Sequence, residues 1–245
     1  MTHRSSLSAF TLIEVLVSIA VVAILIAILV PALASARQNA RTTASLATHA
    51  QLFTATSMYA EPNKEFFPYF ATPGDPFGPK LIDGFDLQGH YFRSQSWHWA
   101  SLLVPEYFSH RAAIEARGTD GVPVTTPGAP ESVVRSRFFL THNAFAASTY
   151  WTDPAPTDLS YFRGVTLADV RFPSQKGLTL DVSLGQPSAQ EGFKPKPNGT
   201  SVGLADGSAR VAKLDLSGAA GMSRPHGVMP WPVMATEAGM AGRDF

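Results

Sequence analysis

The chain has 245 residues, and its 19 lysines and arginines are balanced by 19 aspartates and glutamates, so the formal net charge is zero. This balance argues against a nucleic-acid partner, because proteins that bind nucleic acids need a basic face. The sequence contains no cysteine. A domain exported to an oxidising compartment would therefore be stabilised by its hydrophobic core and not by disulfides.

An uncharged segment near the N-terminus is the most informative part of the sequence. Residues 15–36 contain no Asp, Glu, Lys or Arg. As a helix this segment extends about 33 Å, which is enough to cross the ~30 Å hydrocarbon core of a bilayer. We therefore predict a membrane-spanning helix over residues 10–34.

Two residues depart from the apolar character of that helix. Glu14 lies near its start, and a carboxylate carried to the centre of a bilayer costs about 2.5–3.5 kcal/mol. Pro31 lies near its end, where the missing N–H and the ring predict a kink in the helix.

Residues 1–9 form a short polar leader that contains Arg4 and ends in Ala9. The sequence Phe-Thr-Leu-Ile-Glu follows at once, from Phe10 to Glu14. Together these features resemble the N-terminal segment of the type IV pilin and type II secretion pseudopilin superfamily. The resemblance covers roughly the first fifth of the chain. The chain differs from the usual pattern at Ala9, where glycine is the common residue.

The resemblance implies a role for each of these positions. A prepilin peptidase would cleave between Ala9 and Phe10 and methylate the new amino terminus at Phe10. Glu14 would be the residue that directs assembly, and Pro31 would be the proline that kinks the helix. The implied fold is α+β and pilin-like, with a long N-terminal helix packed on a C-terminal antiparallel sheet.

The function implied by the resemblance is that of a structural subunit of a type IV pilus or a type II secretion pseudopilus. Its expected partners are the membrane, the prepilin peptidase and other pilin or pseudopilin subunits. We expect a single-pass protein of the bacterial inner membrane, with residues 35–245 forming a globular domain on the periplasmic side. No cofactor is expected. The choice between pilus and pseudopilus, and between major and minor subunit, stays open.

Three other interpretations of the N-terminal segment compete with this one. The first is a secretory signal peptide cleaved near Ala34–Ala36, but its apolar core should span only about 7–15 residues. The second is a plain membrane anchor. The third is an anchored binding module for a polysaccharide or a secreted substrate. Neither a signal peptide nor a plain anchor explains Glu14.

The helix is predicted to continue from residue 32 to about residue 60, and Pro62 ends it because the residue before a proline is disfavoured in the α conformation. Small residues recur along this part at helical spacing and form one narrow face, on which another element can pack closely. Arg37, Gln38 and Arg41 are expected on the opposite, solvated side. The predicted face consists of Ala36, Ala40, Ala44, Ala47, Thr54 and Met58.

Residues 61–131 are rich in turn-forming residues and predict a loop-rich region with two short helices. The first is expected over Trp97–Val104, before Pro105, and the second over Arg111–Arg117. Trp97 and Trp99 are either core residues or a surface on which a sugar ring stacks, and the core interpretation is the more common one.

Residues 132–216 predict a β-sheet. Asp206 and Gly207 are expected to form a two-residue hairpin turn in which both residues have positive φ. Residues 217–245 form a tail that either covers the sheet or is mobile. The predicted strands are Val133–Leu140, Tyr161–Val165, Gly177–Val182, Thr200–Ala205 and Ser208–Leu214.

The predicted C-terminal hairpin carries a second resemblance. Asn198-Gly199 and Ala205-Asp206-Gly207 are similar to the C-terminal hairpin of large pilin-like proteins of environmental bacteria. Those proteins often have a histidine just upstream, where this chain has Lys196-Pro197. This resemblance supports the fold and implies no chemistry.

No enzymatic activity is expected. Gly199–Gly203 fits the pattern G-x-S-x-G with Ser201 as the serine, and Asp206 or Asp215 and then His226 follow in hydrolase order. A nucleophile elbow requires a helix directly after the serine, whereas this segment predicts a strand, so we expect no catalytic residues.

No metal site is expected either. The seven histidines are scattered without ligand spacing. Asp153 and Asp158 lie in a turn-rich segment that could bind Ca²⁺, but solvated loop carboxylates are far more common.

Overall fold

The structure is a computed structural model that describes residues 11–117, 122–182, 199–214 and 233–245. Its longest element is the helix α1 (Leu12–Ala60), which has 49 residues and contains Pro31. Among the described residues, α1 is the one helix long and apolar enough to cross a membrane, with a mean hydropathy of 3.1 over its most apolar window. The predicted long N-terminal helix is therefore confirmed.

The chain divides into two compact units, Met1–Ala44 and Ser45–Phe245. The described part of the first unit is helical from Leu12 onward, and nearly all of its side chains are exposed. The second unit contains the last turns of α1, the sheets and the hydrophobic core.

The other elements of the second unit are short. The helices are α2 (Tyr91–His98), α3 (Arg111–Ile114) and α4 (Ser148–Thr152). The 3₁₀ helices are Trp99–Leu102, His142–Phe145, Leu159–Tyr161, Leu167–Asp169, Pro173–Gln175 and Gly239–Ala241. The strands are β1 (Leu81–Ile82), β2 (Phe85–Asp86), β3 (Phe138–Leu140), β4 (Gly177–Asp181), β5 (Thr200–Leu204) and β6 (Ala209–Ala212).

Strands β3 to β6 form a four-stranded antiparallel sheet in the order β3-β4-β5-β6. Neighbours in the sheet are thus neighbours in the chain, as in a meander. Strands β1 and β2 form a separate two-stranded antiparallel sheet that was not predicted. A long helix together with an antiparallel C-terminal sheet confirms the predicted α+β class.

The two faces of the large sheet have different chemistry. Leu180, Val182 and Val202 belong to a buried apolar cluster on one face. Thr179, Asp181 and Ser201 alternate with them in sequence and are hydrogen-bonded, directly or through one another, to side chains of α1. Alternation of side chains along a strand therefore places a polar face against the helix.

The predicted packing face of α1 is wrong. Its members Ala36, Ala40, Ala44, Ala47, Thr54 and Met58 are exposed. The sheet face under the helix is polar, so the helix side chains that match it are mostly polar as well, and a search for small apolar residues selects the wrong face. The buried residues of α1 are Ser45, Thr48, His49, Leu52, Ala55, Thr56 and Ala60.

The main core is aromatic, and Trp99 is part of it. Trp99 is fully buried, and its Nε1–H donates to the Phe138 carbonyl at 2.7 Å. This contact confirms the core interpretation of Trp99 and excludes it from a sugar-stacking surface. Other large side chains that are fully buried in this core are Phe67, Tyr91, Phe92, Phe145, Tyr150 and Phe162.

Two of the five predicted strands are wrong in part or in whole. Val133–Leu140 is a strand only over β3, because the residues just before β3 pair with the end of α3 through an isolated bridge between Glu115 and Ser136. Tyr161–Val165 is not a strand, and only Phe162 makes an isolated bridge, to Ala146. β4, β5 and β6 lie within the other three predicted segments.

The two short helices differ from prediction in their bounds. The first begins earlier than predicted, with α2 at Tyr91. The apolar pattern does not show this start, because the buried face of α2 contains the polar residues Ser94 and Gln95. The second ends at Ile114, where its backbone pairs instead with the segment before β3, through the bond from Arg137 N–H to the Ile114 carbonyl at 2.8 Å.

The turn between β5 and β6 contains Asp206 and Gly207 but is longer than predicted. Ser208 O accepts from Leu204 N–H at 2.8 Å, so three residues lie in the loop. Gly207 has φ +85°, whereas Asp206 does not have positive φ, so the prediction for Asp206 is wrong. This is the three-residue hairpin in which a glycine follows a type I turn.

The C-terminal residues 233–245 pack on the rest of the second unit. Of the two alternatives for the tail, this part of it is packed and not mobile. Lys176 Nζ lies 3.2 Å from Asp244 Oδ2, and both side chains are buried. The same carboxylate oxygen accepts from Gly177 N–H at 2.8 Å. Burial lowers the pKa of Lys176, and the Asp244 carboxylate opposes that change. The predicted tail residues 217–232 lie outside the described residues.

We predict that a chain starting at Ser35 is soluble, monomeric and mixed α and β. It lacks the large apolar residues from Leu12 to Leu33 but keeps every α1 residue that is buried, since these begin at Ser45. Size-exclusion chromatography and circular dichroism would check this. As a control, a chain starting at Ala50 lacks Ser45 and His49 and should be less stable. Aggregation of the Ser35 chain would contradict the assignment of an independent core.

Candidate functional site

The first turn of α1 is closed by reciprocal hydrogen bonds between Thr11 and Glu14. The backbone N–H and the hydroxyl of Thr11 each donate to Glu14 Oε2 at 2.8 Å. In return, Glu14 N–H donates to Thr11 Oγ1 at 3.3 Å. This is a capping box, in which side chains satisfy backbone N–H groups that have no partner within the helix.

The capping box uses one of the two oxygens of the Glu14 carboxylate as a hydrogen-bond acceptor. Only Oε2 accepts hydrogen bonds, and within the described residues Oε1 has no partner. The side chain is exposed. A negative charge near a helix N-terminus is favoured by the helix dipole. The carboxylate is thus held in place by Thr11 and still has an oxygen available to a cation from another chain.

The side chains of α1 after Glu14 form a continuous apolar surface. The large apolar residues between Leu12 and Leu33 are exposed by 45% to 79%. Covering a side chain of this type contributes about 1.5–3 kcal/mol. Monomeric soluble proteins rarely expose a patch of this size, so the surface requires a bilayer or other helices around it.

Pro31 lies within the C-terminal part of this surface. It lacks the N–H that would bond to the Ala27 carbonyl one turn earlier, so this helix position has one hydrogen bond fewer. The predicted kink at Pro31 stays a prediction. Ala9 and Phe10, the residues of the predicted cleavage site, lie outside the described residues.

The comparison with known families decides what this segment is. The family described as "prokaryotic N-terminal methylation motif" matches residues 4–30. The matched range includes Ala9, Phe10 and Glu14. The chain carries a prepilin segment of the type IV pilin and pseudopilin kind. This motif implies processing by a prepilin peptidase and association with a membrane. No curated protein and no solved structure matches the chain.

Beyond the prepilin segment, α1 is fixed to the sheet by a buried polar network around Asp181. The Asp181 carboxylate is fully buried and accepts hydrogen bonds from the Ser45 hydroxyl and, at 3.3 Å, from the Arg137 guanidinium. Ser45 Oγ lies 2.7 Å from Ser201 Oγ. His49 lies between Ser201, at 3.3 Å from Nε2, and Thr179, at 2.7 Å from Nδ1.

The direction of these bonds follows from the carboxylate, which only accepts. Ser45 donates to Asp181, so Ser45 Oγ accepts from Ser201, and Ser201 Oγ accepts from His49 Nε2–H. Nδ1 of His49 is then an acceptor for the Thr179 hydroxyl. Every hydroxyl and both ring nitrogens have a partner, and His49 is neutral with its proton on Nε2.

Burial lowers the pKa of His49 to about 4. Asp181 opposes this change, and the positive charge of Arg137 adds to it. Two other buried histidines behave in the same way, since burial lowers the pKa of His98 to about 4 and that of His142 to about 3. All three side chains are therefore neutral in the folded protein near pH 7.

The network contains the serine of the G-x-S-x-G pattern but not the geometry of a nucleophile. In a catalytic triad the carboxylate holds the imidazole Nδ1, whereas Nδ1 of His49 is bonded to Thr179. Ser201 is 1% exposed, and β5 leads into a hairpin instead of a helix. Asp206 lies in that hairpin turn, and Asp215 and His226 lie outside the described residues.

The aspartates considered as calcium ligands are engaged in their own turns. Asp153 accepts from Ala155 N–H at 2.9 Å and from the Tyr161 hydroxyl at 3.2 Å. Asp158 accepts from Ser160 N–H at 2.8 Å. In the part of the chain that the structure describes, no three His, Cys, Asp or Glu side chains converge as a metal site would require.

Sequence reasoning missed the polar network, although two signals for it exist. Ser45 and His49 are separated by four residues, and Leu52 and Thr56 extend the same face. Thr179 and Asp181 alternate with apolar residues and therefore look like a solvated strand face. The sequence does not show that these two polar faces cover each other.

We predict that the free energy of unfolding falls as the pH drops from 6.5 towards 4. In this range the unfolded chain binds protons at His49, His98 and His142, whereas the folded chain does not. For each histidine with a folded pKa near 4, the free energy of unfolding therefore falls by about 3 kcal/mol. His49→Gln should reduce this pH dependence, and the exposed His110→Gln should not. Urea unfolding of the detergent-solubilised protein between pH 6.5 and 4 measures how the free energy of unfolding depends on pH. An unchanged slope in His49→Gln would contradict the neutral state assigned to His49.

Proposed function

We propose that this protein is a structural subunit of a type IV pilus or a type II secretion pseudopilus. In this proposal residues 10–34 insert into the bacterial inner membrane, and residues 35–245 lie on the periplasmic side. A prepilin peptidase then cleaves before Phe10, and the mature chain polymerises through α1. The observation that carries the proposal is the methylation-motif match at residues 4–30.

The exposed surface of α1 supports polymerisation. When the helix leaves the membrane, its apolar side chains need new surroundings, and the helices of other subunits provide them without exposing them to water. At about 1.5–3 kcal/mol for each large side chain buried, the contact between such helices is strongly favourable. A single-pass anchor without assembly would leave the helix in the bilayer.

Glu14 supplies the polar contact in this apolar bundle. Its Oε1 has no partner among the described residues, and the processed chain would have a positively charged amine at Phe10. Pairing this amine with Glu14 of a neighbouring subunit offsets the desolvation of both charges. The pair also fixes the axial stagger, because only one register brings the two groups together.

We further propose that the protein has no enzymatic activity and that the globular unit serves as the folded head of the subunit. The buried position of Ser201 and the bonding of His49 support this view. A function as an anchored binding module would require the same anchor but no polymer.

Three substitutions test the role of the Glu14 charge separately from its capping role. Glu14→Gln keeps an acceptor for Thr11 but removes the charge, and Glu14→Leu removes both. Thr11→Val removes the cap at a cost of about 0.5–2 kcal/mol but keeps the carboxylate. We expect both Glu14 variants to insert and to be cleaved, and to lose at least about tenfold in assembly. Thr11→Val should still assemble.

Filaments sheared from cells, or helix-mediated oligomers extracted from membranes, provide the measurement. If Glu14→Gln assembles as well as the wild type while Thr11→Val does not, Glu14 is a helix cap and not an assembly residue. If the wild type stays monomeric in membranes that contain a complete assembly machinery, the anchored binding module replaces the filament subunit.

A further inference from the structure

Two arginines, Arg93 on α2 and Arg135 in the segment before β3, lie near the indole ring of Trp97. Arg93 and Trp97 are four residues apart and therefore lie on the same face of the helix. The guanidinium carbon of Arg93 is 5.6 Å from the centroid of the Trp97 ring, and that of Arg135 is 4.1 Å from it. Ser136 N–H donates to the Trp97 carbonyl at 2.8 Å, and this hydrogen bond holds the neighbouring residue Arg135 close to α2. We call Arg93, Trp97 and Arg135 the Trp97 cluster.

The Trp97 cluster consists of donors without acceptors. The ion pairs of the described residues use Arg111, Arg117, Arg137 and Lys176, and neither arginine of the cluster takes part in them. No hydrogen bond from either guanidinium is present in this part of the chain. The Trp97 Nε1–H is buried and also has no acceptor there.

This arrangement is unfavourable for the protein alone. Two positive charges share one ring, and burial lowers the pKa of Arg135. A buried donor without an acceptor costs about 1–3 kcal/mol. A cation–π contact contributes about 0.5–2 kcal/mol, but it provides no acceptor for the N–H groups. A negatively charged acceptor beside the ring would pair with the guanidinium groups of Arg93 and Arg135, which have no anionic partner among the described residues.

We propose that the Trp97 cluster is a binding site for an oxyanion, namely a carboxylate or a sulfate group. A planar guanidinium binds such a group through two parallel N–H bonds, and the cluster contains two guanidinium groups near one ring. The Trp97 ring is already in contact with guanidinium groups, so the site recognises charge and not the face of a sugar ring.

The chemistry of the cluster does not favour a nucleic acid. Such polymers are bound through many phosphate contacts, commonly about 6–10, and their bases stack on open aromatic faces. Here two guanidiniums cover the ring, and the formal net charge of the chain is zero. A single oxyanion fits the number of donors better.

Titration of the full-length protein in a neutral detergent at low ionic strength tests the proposal. The probes are sodium sulfate, galacturonate, polygalacturonate and, as an uncharged polymer, dextran, with tryptophan fluorescence and calorimetry as readouts. We expect sulfate and galacturonate to bind and dextran not to bind. If polygalacturonate binds more tightly per sugar unit than galacturonate, the oxyanion belongs to a polymer. If the two bind equally, the oxyanion belongs to a small acid.

Matched variants separate this site from general electrostatic attraction. Arg93→Gln with Arg135→Gln should weaken polygalacturonate binding at least about tenfold, the loss typical of a charged hydrogen-bonding partner. Arg163→Gln with Arg171→Gln removes the same charge from exposed positions that do not contact Trp97, and it should leave the affinity unchanged. Arg93→Gln alone changes an exposed residue and keeps the fold testable. An equal loss in the control pair, or no binding by the wild type, would overturn the proposal.

Discussion

The buried carboxylate of Asp181 is the constraint on which the globular unit depends. A charge without solvent is costly unless it is paired and fully hydrogen-bonded, and here Ser45 and Arg137 provide the donors. Because Ser45 lies on α1, the helix must lie against the polar face of the sheet. Ser201 and His49 complete the chain of donors. The contact between helix and sheet is therefore specified by the direction of hydrogen bonds as well as by apolar area.

The charged side chains of this protein differ in how far the chain itself compensates them. Asp181 is compensated within the globular unit. Glu14 is compensated in part, by Thr11, which leaves one oxygen for a neighbouring chain under the proposed assembly. Arg93 and Arg135 have no anionic partner among the described residues. This order connects the fold to function, because incomplete compensation within the chain marks positions where a partner or ligand is expected.

The sequence predicts the parts of this structure that depend on local pattern. The long α1 helix and strands β4 to β6 follow from apolar length and from alternation. The packing face of α1 does not, because polar residues such as Ser45 and His49 become buried only when Asp181 lies opposite them. The apolar pattern also does not predict that α2 begins at Tyr91, because the buried face of α2 includes polar side chains. Long-range polar pairing leaves no periodic signal in either segment.

The proposed function requires that the N-terminal segment is processed as a prepilin. Intact-mass analysis of the protein from membranes, in cells with and without prepilin peptidase, tests it most directly. With the peptidase present, we expect a mature chain that begins at Phe10 and carries one additional methyl group on its amine. Without the peptidase, we expect an unprocessed chain. A chain beginning near Ser35 or Arg37 would show cleavage by a signal peptidase instead. An intact Met1 in both kinds of cell would show a plain anchor. Either result would contradict processing as a prepilin.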